Sequence, residues 1–131
     1  MTQVECFNTM GNIILIAEDF DDARAFMVFI LKSYGCVVYE ATNGQEAIEV
    51  AKKYQPDLIL MDISMPVMDG LTATEIIRAS KERISKTPIV AITAFNEPYI
   101  QKAIEVGCNT VLSKPVDFKQ LESVVKQYLS Q

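Results

Sequence analysis

The chain contains no histidine, which removes at once the Ser-His-Asp and Cys-His arrangements that activate a nucleophile. Its three cysteines, Cys6, Cys36 and Cys108, are odd in number, far apart and in neither CxxC nor metal spacing. They read as reduced thiols of a cytoplasmic protein, not as a disulfide frame or a zinc site. No run of Lys or Arg occurs, and 12 basic residues are outweighed by 17 acidic ones for a formal net charge of -5. Attachment to nucleic acid or to an anionic membrane is therefore disfavoured, since both depend on cationic side chains displacing counterions. Long apolar stretches are missing too: the longest are of strand length, and residues 1–11 offer neither a basic start nor an apolar core. Neither a signal peptide nor a membrane span is expected. Long polar linkers, internal repeats and low-complexity tracts are likewise absent. One domain is expected over residues 12–131, with residues 1–11 as a flexible leader and no output domain attached.

What is present is the composition of a folded domain. Half of the 131 residues are hydrophobic and charges are interspersed, and a chain of this length buries roughly two thirds of the surface its unfolded form exposes. Residues 12–17 (NIILIA) form a short apolar, β-branched run ending abruptly in Glu18 and Asp19, the pattern of a strand buried on both faces. From Asp21 onward Ala23, Phe26, Met27, Ile30, Leu31 and Tyr34 recur at helical spacing until Gly35 supplies a stop. The alternation repeats, with strands over 36–40, 57–61, 89–93 and 110–112 and helices over 44–54, 70–80, 97–106 and from Asp117 onward. Strict alternation with apolar strands predicts an α/β fold in three layers, a parallel sheet covered by helices on both faces.

The carboxyl ends of such strands share one edge, and ligands bind there. Glu18 and Asp19 follow the first strand, Asp62 the third, Thr93 closes the fourth and Lys114 comes shortly after the fifth. Each residue taken singly has a bland role: Asp19, Asp21 or Asp22 could cap the first helix, and Asp69 caps the third. The conjunction carries the weight. Clustered carboxylates raise one another's pKa unless a cation sits among them, and hard oxygen ligands select Mg²⁺ or Ca²⁺ over zinc, so Mg²⁺ is the cofactor expected.

Glu18-Asp19, the segment from Met61 to Gly70 (MDISMPVMDG), Thr93-Ala94 and Lys114-Pro115 together resemble the receiver domain of two-component response regulators. The resemblance implies a flavodoxin-like (βα)5 sandwich with strand order 2-1-3-4-5. It implies that Asp62 is the phosphoacceptor, that Asp19, Asp62 and the backbone carbonyl of Ser64 ligate Mg²⁺, and that Glu18 holds the metal through water. Lys114 would pair with a phosphoryl oxygen and the Thr93 hydroxyl would move to another, while Ala94 leaves room for the group. The family's Lys-Pro bond is cis, which would aim Lys114 into the pocket. One departure stands out: many relatives carry an aromatic switch residue three before the Lys, where this chain has Val111, and Phe95 is then a candidate gate.

With no histidine of its own, a chain of this kind needs its phosphoryl donor in trans, a histidine kinase or a histidine phosphotransfer protein. Phe20, the exposed side of the first helix, Pro115 and Val116 surround the expected pocket and form the expected docking patch. The domain would be a monomer or a weak phosphorylation-linked dimer. It would catalyse only its own phosphorylation and dephosphorylation, with neither nucleic acid nor membrane as partner. Competing functions fit less well. A flavodoxin-type cofactor binder needs a neutral phosphate cradle where Glu18-Asp19-Phe20-Asp21-Asp22 would repel phosphate. A haloacid-dehalogenase-type phosphatase needs a general acid where Ser64 stands. A phosphorylation-independent pseudo-receiver would not need Glu18, Asp19, Asp62, Thr93 and Lys114 intact. The Ser-Met-Pro-Val-Met-Asp-Gly and Leu-Ser-Lys-Pro runs lean toward the receivers of hybrid kinases and relays.

Overall fold

The structure, a computed structural model, describes residues 9–94 and 97–129. In chain order it contains β1 (Ile13–Ala17), α1 (Asp21–Ser33), β2 (Val37–Ala41), α2 (Gly44–Tyr54), β3 (Leu58–Asp62), α3 (Gly70–Ala79), a 3-10 turn (Arg83–Lys86), β4 (Ile89–Thr93), α4 (Glu97–Val106), β5 (Thr110–Ser113) and α5 (Phe118–Tyr128). The five strands form one sheet in the order β2-β1-β3-β4-β5, and every pairing is parallel. The flavodoxin-like order expected from the resemblance is the order found.

The middle strands β1, β3 and β4 are buried on both faces, as their continuous apolar runs require. Alternate residues still serve different layers. Ile59 and Met61 of β3 pack with Ala47, Ala51, Ala73, Ile77 and Ala103 under α2, α3 and α4. Leu58 and Leu60 pack with Met27, Leu31, Leu121, Val124 and Val125 under α1 and α5. The edge strands β2 and β5 are partly exposed. Among the described residues no helix is long and apolar enough to cross a membrane.

Several boundaries differ from the sequence pattern, each for a local reason. The third strand runs Leu58–Asp62 instead of 57–61. The Asp57 carboxylate accepts from the Ile13 N–H at 2.8 Å and so closes the sheet edge from outside the ladder, while Asp62 is registered opposite Ile92. The last helix starts at Phe118 because Asp117 is its N-cap, in a reciprocal capping box with Gln120. Helix α1 is capped by none of its aspartates: Phe20 occupies the N-cap position with no side-chain hydrogen bond. Asp69 does cap α3, accepting from the Thr72 N–H at 2.8 Å. The 3-10 turn carries no sequence period and was not expected.

Of the leader expected over residues 1–11, residues 1–8 lie outside the described residues. Thr9 is buried, its hydroxyl donating to the Tyr34 carbonyl at 2.6 Å. The Gly11 N–H donates to the Gly35 carbonyl at 3.0 Å, so the packed unit extends back to Thr9.

Candidate functional site

At the carboxyl edge of the sheet, the ends of β1 and β3 bring three carboxylates together. The Glu18 N–H donates to the Ala41 carbonyl of β2 at 2.9 Å, which keeps the chain on the sheet for one residue beyond β1. This turns the Glu18 side chain inward, where it is 1% exposed. Asp62, the last residue of β3, is equally buried, and Asp19 is exposed. One oxygen from each of Glu18, Asp19 and Asp62 lies within 4.8 Å of the others.

The hydrogen bonds at this edge divide the carboxylate oxygens. Asp62 Oδ1 accepts from the Ser64 N–H at 3.2 Å, and Oδ2 accepts from Lys114 Nζ at 3.0 Å. Glu18 Oε2 accepts from the Phe20 N–H at 3.1 Å. Glu18 Oε1 accepts no hydrogen bond although it is buried; Lys114 Nζ stands 3.5 Å away, within ion-pair reach only. Burial, reinforced by the neighbouring Asp62, pushes the Glu18 carboxyl up to about 7. Burial pulls the Lys114 ammonium down, but the hydrogen bond and charge of Asp62 and the charge of Glu18 outweigh it and hold the group above its ordinary value. The donor set is all oxygen, two of its three carboxylates are buried, and one buried oxygen has no hydrogen-bond donor. These residues fit a hard divalent cation such as Mg²⁺.

Thr93 is buried at the end of β4, and its carbonyl accepts from the Lys114 N–H at 2.8 Å. That bond ties the β4 and β5 ends together beneath the site. The Lys114-Pro115 peptide is cis. Ala94 is exposed beside Thr93, and Phe95 lies outside the described residues. Val111 is half-buried and packs on the α2, α3 and α4 side of the sheet.

The β3-α3 loop is fixed by close approaches that only glycine permits. A Cβ on Gly70 would collide with the Asp62 carbonyl; one on Gly44 would sit 2.5 Å from the Met68 carbonyl, which accepts from the Gly44 N–H at 2.7 Å. Ser64 lies in this loop and lines, with Asp19 and Asp69, an open cavity of about 580 Å³. A second cavity of about 610 Å³ runs between α1 and the β5-α5 loop, lined by Phe20, Phe26, Pro115 and Val116, with Glu18 and Lys114 at one end.

The structure thus brings together Glu18, Asp19, Asp62 and Lys114, with the Ser64 N–H on Asp62 and Thr93 buried at the end of the neighbouring β4. Sequence reasoning missed Phe26, whose helical spacing marks it as core although it is exposed. It also missed Arg24, which donates to the Glu18 carbonyl at 2.8 Å. The available signal was an arginine one turn after the acidic stretch.

A parallel sheet with acidic residues and a lysine meeting at its carboxyl edge defines a signalling domain of the two-component type, and comparison with known proteins gives the same answer. The chain belongs to the response regulator receiver domain family, whose model matches residues 14–126. It is 44% identical over 118 residues to hybrid signal transduction histidine kinase G of Dictyostelium discoideum, covering 88% of this chain but 3% of that protein. It is 32% identical over 121 residues to sporulation initiation phosphotransferase F of Bacillus subtilis, covering 92% of this chain and 95% of that one.

Solved structures agree. The receiver domain of sensor histidine kinase PA1611 from Pseudomonas aeruginosa, with a magnesium ion coordinated in its active-site cleft, superposes with a TM-score of 0.83 at 31% identity, covering 90% of this chain and 97% of that one. The receiver domain of Ssk1 from Saccharomyces cerevisiae, solved with the histidine phosphotransfer signaling protein Ypd1, gives a TM-score of 0.81 at 32% identity, covering 92% and 90% of the two chains. The chain is a receiver domain of two-component signalling, related to phosphorelay receivers.

Proposed function

We propose that this receiver unit accepts a phosphoryl group onto Asp62 from a phosphohistidine donor in a Mg²⁺-dependent reaction and signals to a protein partner by conformational change. The observation that carries the reading is the meeting of Glu18, Asp19 and Asp62 around a buried oxygen without a hydrogen bond, with Lys114 on Asp62. Asp19, Asp62 and the Ser64 carbonyl would hold the ion directly and Glu18 through water. When bound, the ion relieves charge repulsion between carboxylates and phosphoryl oxygens.

The chain's own residues do the rest. An Asp62 carboxylate oxygen attacks phosphorus, an O–P bond forms and the P–N bond to the donor imidazole breaks, leaving an aspartyl phosphate. Lys114, already on Asp62, would pair with a phosphoryl oxygen, and Thr93 at the end of β4 would donate to another. Such a shift of Thr93 would draw in the start of the β4-α4 loop, converting a local charge into a movement.

The donor is a histidine kinase or a histidine phosphotransfer protein, in keeping with the Ssk1 receiver having been solved with Ypd1. The exposed Phe20 with Pro115 and Val116 on the cavity beside Lys114 is the proposed docking patch. The reading places the domain in the cytoplasm, as a monomer or a weak phosphorylation-linked dimer. A place within a hybrid kinase and a place as a relay carrier both fit it, given relatives of each kind.

The test is incubation of purified protein with Mg²⁺ and acetyl phosphate, followed by intact mass. A one-phosphoryl increase is expected in wild type, and none with EDTA or in Asp62→Asn. Labelling of Asp62→Asn equal to wild type would overturn the assignment of the acceptor.

A further inference from the structure

Helix α1 begins without a side-chain cap, since Phe20 at the N-cap position has no oxygen to offer. Arg24 supplies the fixation instead. Its side chain, only 15% exposed, reaches three separate segments: Nη1 donates to the Glu18 carbonyl at 2.8 Å, Nη2 to Asp21 Oδ1 at 2.7 Å, and Nε to Glu40 Oε1 on β2 at 2.9 Å. Glu18 lies one residue past β1 and is the last position the ladder holds, by its N–H on the Ala41 carbonyl. Beyond that bond it is gripped from two further sides, its carbonyl by Arg24 and its Oε2 by the Phe20 N–H. Exposed ion pairs are worth little on their own. This guanidinium differs because a main-chain carbonyl of the site is one of its three acceptors and its fork is satisfied in divergent directions.

We propose that Arg24 is a positioning residue of the metal site: by clamping the Glu18 carbonyl to the first turn of α1 and to β2, it fixes the β1-α1 loop so that Glu18 and Asp19 face Asp62. The inference rests on the functional reading above. Its consequence has a definite sign. As a bare charge near three carboxylates, Arg24 would repel a cation, and its removal would tighten Mg²⁺ binding. As a positioning residue it does the reverse, because losing a group that orients a ligand costs about tenfold or more in metal affinity. Lysine keeps the charge but is a single point donor that cannot serve the three acceptors together.

Calorimetric titration of the full chain with Mg²⁺ at constant ionic strength compares wild type, Arg24→Ala and Arg24→Lys, with urea unfolding in EDTA showing that each variant is folded. Both variants are expected to bind Mg²⁺ about tenfold more weakly than wild type. Should Arg24→Ala fail to fold, Arg24→Lys, which retains the aliphatic stem, carries the same readout. Equal or tighter binding by the folded variants overturns the positioning role, and so does full restoration of affinity by lysine, which would show that charge alone suffices. Absence of Mg²⁺ binding by wild type would instead overturn the functional reading on which the inference rests.

Discussion

Glu18 is closed in with Asp62 and Lys114, and its carboxyl stands at about 7 against an ordinary 4.5. The folded protein therefore holds this proton more tightly than the unfolded chain does. The stability so gained is complete below about pH 4.5 and is lost as pH rises through about 7. Metal-free protein should weaken across that window, a tenfold difference in proton affinity between the two states being worth about 1.4 kcal/mol. Glu18→Gln should flatten the profile and be the more stable form above it. Urea unfolding in EDTA at a series of pH values is the check, and a wild-type profile as flat as the variant's would refute the burial argument. At this scale the positions of Asp19, Asp62 and Lys114 on one edge were legible, because strand ends can be counted. The inward turn of Glu18 and the reach of Arg24 were not: both depend on how the chain leaves β1, and no periodicity records that.

Among elements, the β3-α3 loop is held in a costly shape. Val67 has φ 67°, and the Met68 N–H donates to the Pro66 carbonyl at 2.7 Å, a γ-turn centred on a β-branched residue that disfavours the left-handed region. The side chain is 84% exposed, so nothing is gained by packing it. Val67→Asn, which visits that region readily, should stabilise the fold by about 1 kcal/mol, read as a higher urea midpoint at unchanged slope; no gain would mean that the loop relaxes freely. The apolar runs and helical stripes gave the order and type of the elements, since burial on both faces leaves a plain signature. They missed strand ends and the start of α5 by a residue or so, because Asp57 and Asp117 take their roles from hydrogen bonds that no apolar period records.

For the molecule as a whole, the sheet separates two cores that no buried side chain among the described residues shares. Ile59 and Leu60 are neighbours in β3, both fully buried, and they serve opposite layers. Truncating either to alanine should cost about 2–5 kcal/mol. Each should lower one common transition, since the layers share the strand backbone. Near-UV and far-UV signals that separate for one variant would show that the layers melt independently. The alternation expected from sequence was enough to place helices on both faces, but which helices pair follows from the right-handed crossovers and the observed strand order.

That separation bears on inheritance. The surface proposed to meet the donor belongs to the two-helix layer of α1 and α5, whose described core side chains form a cluster apart from those beneath α2, α3 and α4. A gene encoding this sandwich can accumulate changes in one layer without compensating ones in the other. On the proposed reading, the donor-facing flank is editable apart from the layer beneath α2, α3 and α4, and a duplicated copy can take a new correspondent while keeping its old vocabulary.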